Sequence, residues 1–506
     1  MLVQVQHRAA ALLWFSAFRW SRRPSSADCK MLDVSYLRST SNKWVAGSLS
    51  ERARLSIRCA AYLIDFTRSR YKMRYVSYWR SELHIMTDSG GQSGRQSNVL
   101  VSGASIAGPT LAYWLSRYGF SVTIVERSEA VRGGGYPIDV RGTAVDVVDQ
   151  MGIYPQLQAA HIGSHGITFL NPDGAVAGRI RPEELTGGEK GRDIELPRGK
   201  LTELLFDLTQ RASIRYLFND SIVAIEDNGD GVDVTFENSQ AQRFDLVVGA
   251  DGLHSNTRRL IFGPEEPFSR YLGYCFNGFT MPNFLGLSHE ALAFATPGRF
   301  AILSASGDTD TLHAFLTFAS EAPPITVSQD DQRRLTEELF AGVGWEVPRL
   351  VDAMQKADDL YYDVVSQIHL DQWSKGRVGL VGDSAFAPSF LSGQGSSLAL
   401  VAAYILAGEL AINQDPTHAF ANYENIMRPF VEANQALAGS GASFLLPRTE
   451  EELNARNRAL AGSQVQEGGS MPGAESRAAH SSLSLSDYSA ALSGDSFWGS
   501  HFRSIV

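Results

Sequence analysis

The chain has 506 residues, 44% of them hydrophobic, with 45 Lys+Arg against 55 Asp+Glu and a net charge of −10, enough at roughly 150 residues per domain for about three units around a sizeable core. Residues 1–97 hold 16 basic and 6 acidic side chains (+10), which leaves −20 for residues 98–506. That body would repel phosphates, which excludes nucleic-acid or anionic-membrane binding by charge alone.

In chain order, residues 1–96 show no sustained hydrophobic period. Arg8, Arg19, Arg22 and Arg23 flank an apolar patch with no acid before Asp28, a composition compatible with an organellar transit peptide. The stronger reading is a disordered or mis-annotated leader, with a cytoplasmic working chain that begins near Met86. The longest purely apolar runs, such as Ala9–Phe15, fall short of the about 20 residues that span a bilayer, so no integral membrane segment is expected. Cys29 and Cys59 lie in the leader and only Cys275 in the body; the body therefore has no disulfide framework or Cys-based metal site, which fits a reducing compartment.

From Val99 the pattern becomes α/β. Val99–Ser102 reads as a strand, Pro109–Tyr118 carries Leu111, Trp114, Leu115 and Tyr118 at helical spacing, and Phe120–Val125 reads as a second strand, together a βαβ unit. Later expectations are a helix over Lys200–Arg211, strands at Gly231–Phe236 and Phe244–Val248, a helix over Arg333–Gly342, strands at Tyr361–His369 and Arg377–Val381, and a buried helix over Ser396–Leu410. Between Leu272 and Ala319 the alternation is strand-like. The Ser-, Gly- and Ala-rich tail, residues 461–506, reads as unstructured.

Three segments carry chemistry. Gly103-Ala-Ser105-Ile-Ala-Gly108 lies between strand and helix, with Glu126 and Arg127 at the end of the second strand. There Gly103 makes a tight turn, Gly108 permits close helix–strand packing, the helix N-terminus offers N–H groups to a pyrophosphate, and Glu126 faces ribose hydroxyls. Ser105 replaces the middle glycine of the usual fingerprint, and alone the segment also reads as an ordinary βα turn. Asp251-Gly252 follows a strand, and so does Gly382-Asp383, which leads into Gly393-Gln394-Gly395-Ser396 at the start of the buried helix. That N-terminus suits a flavin carbonyl or a developing anion.

In this order the three segments resemble the class A flavin-dependent aromatic hydroxylases, the para-hydroxybenzoate hydroxylase-like FAD monooxygenases, and within them the tetracycline-oxygenase-like branch, over about Asn98–Leu460. The resemblance implies a Rossmann-like FAD-binding domain of the GR2 type (97–164, 191–262 and 366–445) with an inserted mixed or antiparallel-sheet substrate domain (165–190 and 263–365). It places Glu126 on the FAD ribose, Arg198 of Glu195-Leu-Pro-Arg198 at the ribityl or phosphate region, Asp251 and Gly252 on FAD and NAD(P)H, and Asp383 on the ribityl chain or phosphate. The loop Gly133–Gly142, with Asp139 and Arg141 as flavin-proximal catalytic candidates, would line the isoalloxazine. Ser397 and Ala402 depart from the Asn and Asp that many relatives carry.

The activity so implied is an NAD(P)H- and O2-dependent hydroxylation of an aromatic or polyketide-like small molecule through a C4a-hydroperoxyflavin, in secondary metabolism. Alternatives of the same fold are epoxidation, oxidative decarboxylation, dehydrogenation and, more distantly, a non-redox prenyl-protein escort. No second Gly-x-Gly-x-x-Gly follows a strand and no Trp-x-Trp-x-Ile occurs, which argues against a separate NADPH domain and a halogenase. No general base stands out. His254, next to the Asp-Gly turn, and His313, in the strand region, read more readily as ordinary surface or satisfied core histidines than as a base, and Tyr274, Phe276 and Phe279 either line a substrate pocket or pack the core.

Overall fold

A computed structural model describes residues 97–212, 214–324, 328–463 and 473–492, together with the backbone pairing of Ile57–Arg58 with Arg80–Ser81. The leader otherwise lies outside the described residues. The body is built on two large sheets.

The first sheet has six strands in the order Ser374–Lys375, Val378–Leu380, Leu246–Gly249, Asn98–Ser102, Ser121–Glu126, Arg215–Phe218. All neighbours are parallel except the short edge pair. Its central strands, Val99-Leu-Val and Leu246-Val-Val, are buried on both faces, as a parallel sheet with covered faces requires. Helix Ala107–Arg117 covers it together with Gly395–Ile412. The latter is long and apolar enough to cross a membrane, yet it is largely buried within the protein, as a core helix.

The second sheet has seven strands, ordered Tyr361–Ile368, Ser269–Pro282, Thr311–Ala319, Arg299–Ser304, Ala291–Thr296, Ile167–Leu170, Val176–Ile180. All pairs are antiparallel except Ala291–Thr296 with Ile167–Leu170. Helices Gln329–Phe340 and Val347–Lys356 pack on one face. The other face, with Phe169, Tyr274, Phe276 and Phe300, meets Leu391, Ala438, Leu446 and Leu453. The Rossmann-like FAD-type domain with a sheet domain inserted in it is thus the observed class. The boundary expected at residue 366 falls inside strand Tyr361–Ile368, which pairs with Ser269–Pro282 and so belongs to the second sheet.

The described part of the tail, residues 461–463 and 473–492, differs from its expected disorder; the remainder lies outside the described residues. Helix Glu450–Ser463 runs past residue 461, and helix Gly473–His480 with the turn Ser489–Ala491 docks back on the body. Composition misreads this segment because its small residues serve close packing: a Cβ on Gly473 would lie 2.6 Å from the Glu184 carbonyl oxygen. Tyr488 is buried, and its hydroxyl donates to Glu409 at 2.7 Å.

Candidate active site

The glycine turn forms as its sequence demands. Gly103 has φ +108°, and a Cβ there would lie 2.4 Å from the Ala250 carbonyl oxygen; one on Gly108 would lie 2.0 Å from that of Gly103. Neither position accepts a side chain without moving backbone. Buried Glu126 takes the Ala104 N–H on one oxygen (2.9 Å) and the Ser128 N–H on the other (3.0 Å), so it shapes the turn it was expected to serve. Arg127 beside it is exposed. The helix that follows has no side-chain cap and no acid in its first turn, leaving its N–H groups to a ligand. Ser105 is accounted for by Arg198, whose Nη2 donates to its hydroxyl at 2.6 Å.

Arg198 opens helix Arg198–Arg211 and packs along Gly135. Facing it are Tyr136 and Asp383, which keep open surface although protein surrounds them on nearly every side. Such side chains form the floor of a cleft. Burial pushes the Asp383 carboxyl above its ordinary range, with Arg198 opposing. Burial likewise raises the Tyr136 phenol; Arg198 lowers it, and Asp383 and Asp363 add to the rise.

Gly393 lies exposed in left-handed conformation at φ +66°. Gly395 and Ser396 begin the core helix, whose N-cap Gln394 makes no side-chain cap and whose first turn carries no acid. A Cβ on Gly395 would sit 3.8 Å from Asp383 Oδ1. The cleft therefore meets two uncapped helix N-termini, an arginine and a carboxylate, which together fit the phosphates, ribityl chain and flavin carbonyls of FAD.

Asp251 is placed differently. One carboxylate oxygen accepts from the Ser255 hydroxyl and from Ser384 Oγ (3.1 Å), the other from Thr257 N (2.8 Å) and Oγ1 (2.8 Å). The Gly252 N–H donates to the same Ser384 hydroxyl at 2.9 Å. The Asp-Gly turn is thereby knotted to the Gly382-Asp383 turn, and this carboxylate holds protein to protein.

Asp139, on the antiparallel strand pair Pro137–Val140/Ile194–Pro197, forms an ion pair with Arg141 just past the end of its strand. Arg141 is 5% exposed, and its Nη1 lies beside the position a Gly188 Cβ would take, so it points inward rather than into the open cleft. Buried Ser397 accepts the Arg141 N–H at 3.1 Å and donates to the Asp139 carbonyl at 3.4 Å. Glu195 stands opposite Asp139 across the strands. Burial, then Asp139, pushes its carboxyl up to about 7, while a Ser164 hydrogen bond and Arg141 lower it.

The aromatic expectation resolves by strand period. Phe276 joins Phe315 (6.3 Å), Phe390 (4.7 Å) and Tyr361 (5.8 Å), and Phe315 meets Tyr136 at 5.5 Å. Phe279, an odd number of residues along, packs in the core under the opposite face. Tyr274 donates to the Leu446 carbonyl at 3.1 Å and accepts from Arg448, anchoring a helix end. Tyr136 lies in the loop expected to line the isoalloxazine, whereas sequence reasoning missed Tyr361 and Phe390, exposed aromatics at a strand start and beside a turn, whose only signal is large apolar residues at element ends.

His254 is not an ordinary surface histidine. Its Nδ1 meets Glu265 at 2.9 Å and its Nε2 meets Asp363 at 3.2 Å. The Asp363 bond, then the Glu265 bond, raises the imidazole to about 10 against a smaller opposing effect of burial. His313 lies on the sheet, where burial lowers it.

A fold of this kind with such a cleft defines an FAD-binding oxidoreductase. The family described as FAD binding domain matches residues 96–437, and the chain belongs to the class A FAD-dependent monooxygenases. It is 45% identical over 364 residues to an uncharacterized protein of Mycobacterium tuberculosis (70% of this chain, 96% of that protein). It is 39% identical over 368 residues to a flavin-dependent monooxygenase of an unknown prokaryotic organism (72% and 95%). Among solved structures, that of tetracycline destructase Tet(55) superposes with TM-score 0.67 at 35% identity, over 78% of this chain and all of that one.

Arg198→Ala removes the cation between Ser105, Tyr136 and Asp383. A charge-assisted bond of about 1.5–3 kcal/mol corresponds to FAD held about ten- to a hundredfold more weakly. Flavin fluorescence on titrating FAD into apoprotein checks this.

Proposed function

We propose that the chain is an NAD(P)H-dependent monooxygenase that hydroxylates an aromatic or polyketide-like small molecule in secondary metabolism. The observation that carries this reading is the aromatic wall of Tyr136, Phe276, Phe315, Tyr361 and Phe390, which adjoins the FAD-type cleft at Asp383 and Arg198. Planar rings stack favourably on such a wall. Bound FAD would supply the redox and oxygen chemistry. Gly103, Ser105, Gly108, Glu126, Arg198, Asp383 and Gly393 to Ser396 would position it, and the second sheet would exclude water. Likeness to a tetracycline destructase supports a polycyclic phenolic substrate class.

The test is NAD(P)H oxidation by the flavin-loaded enzyme across a panel of phenolic polyketides. The expected result is oxidation stimulated by one of them with matching O2 uptake and a product heavier by one oxygen atom. Loss of two hydrogens from the product would instead establish dehydrogenation.

A further inference from the structure

The Tyr361 hydroxyl donates to Asp363 Oδ2 at 2.5 Å. Asp363 is fixed in turn: its Oδ1 accepts the Val364 N–H at 2.7 Å and it meets His254 Nε2 at 3.2 Å. His254 is held from its other nitrogen by Glu265, and Glu265 pairs with buried Arg258. Both imidazole nitrogens carry protons at neutral pH, since the two carboxylates raise it to about 10. An imidazolium has only donors, so Asp363 has only an acceptor role toward His254, whose Nε2 also lies 3.3 Å from Oδ2, and that oxygen accepts the Tyr361 proton as well. Tyr361 itself is 51% exposed, its ring stands 5.8 Å from Phe276, and it is within electrostatic reach of Tyr136 and Asp383. Although half its surface is open, protein packs around the ring, and that desolvation, then Asp363, pushes its phenol well above the ordinary range, so it stays protonated. With its one proton committed to Asp363, the oxygen has only lone pairs to offer the cleft.

We infer that Tyr361, locked by the Asp363–His254–Glu265 chain, is a specificity-determining residue that accepts a hydrogen bond from a substrate hydroxyl and so selects hydroxylated aromatics over their ethers. The inference rests on the aromatic-substrate reading above. A site built to pair a hydroxyl rejects the analogue that lacks it more strongly than an apolar pocket rejects a change of size. Asp363 and His254 act as positioning residues, because they set which way the Tyr361 proton points.

The test compares 2-naphthol with its methyl ether on the FAD-loaded enzyme, reading dissociation constants from perturbation of the flavin absorbance. Wild type is expected to bind the naphthol up to about tenfold more tightly than the ether, the yield of one hydrogen bond. Tyr361→Phe should bring the two constants together by weakening the naphthol alone, with flavin content unchanged. Asp363→Asn presents an N–H to the Tyr361 oxygen and frees the tyrosine to donate, so its preference should shift toward the ether. A merely structural role would weaken both ligands equally. Equal affinities in wild type, or an unchanged ratio in Tyr361→Phe, would overturn the inference and leave the aromatic reading standing. Failure of both ligands to bind wild type would sink both readings.

Discussion

Gly108→Val is expected to yield protein purified with almost no flavin. The substituted Cβ would stand 2.0 Å from the Gly103 carbonyl oxygen and 3.1 Å from its carbon, and both are backbone of the turn that faces the cofactor. No rotamer relieves this, so helix Ala107–Arg117 must withdraw from the turn, taking its free N–H groups with it. Overpacking costs about 1–3 kcal/mol in stability, which leaves a folded chain, whereas the loss of aligned donors is specific to the cofactor. The flavin-to-protein absorbance ratio checks it, with Gly152→Ala as reference: that glycine also has positive φ, at +73°, but a Cβ there meets nothing within 4 Å. The reference should keep its flavin.

Tyr488→Ala is expected to cost the largest loss of stability, about 3–5 kcal/mol for truncating a buried aromatic. The ring sits in the notch left by Gly408, where a Cβ would lie 2.2 Å from it, and lies 5.4 Å from the Tyr404 ring. Its hydroxyl is a donor to Glu409, a carboxylate only 5% exposed whose other oxygen takes Asn413 and Asn422. Truncation thus opens a cavity and removes a donor from a buried charge together. Tyr488→Phe isolates the second effect, about 1–3 kcal/mol. Urea unfolding of the three proteins separates the contributions, and equal midpoints for wild type and Tyr488→Ala would show that the C-terminal segment carries no stability.

Where side-chain period and turn chemistry are local, the sequence is explicit. The βαβ unit at Asn98–Glu126, the alternating strands between Ser269 and Ala319 and the apolar helix Gly395–Ile412 follow from spacing that any single segment displays. The strand expected over Phe244–Val248 is broken at Asp245, whose carboxylate accepts the Asn98 N–H at 2.7 Å. Helix Pro416–Leu445 escaped attention because Pro429 lies inside it, although Asp415 caps it through the Thr417 N–H. The site was legible as far as backbone dictates it, in the glycines and the acids that end strands. What was hidden depends on long-range pairing: that Ser384 ties Asp251 to the Gly382-Asp383 turn, that Arg141 turns inward, and that His254 from one sheet's turn locks Asp363 on the other. These partners lie far apart in the chain or face directions that no local period encodes.

The proposed function is the transfer of one atom of molecular oxygen to a small aromatic molecule in this cleft. Turnover of a stimulating phenolic polyketide under isotopically heavy O2, followed by mass spectrometry of the product, tests it most directly. One heavy oxygen atom per product molecule, lost in Gly108→Val, is the predicted result; a product carrying oxygen from water, or none, would contradict it.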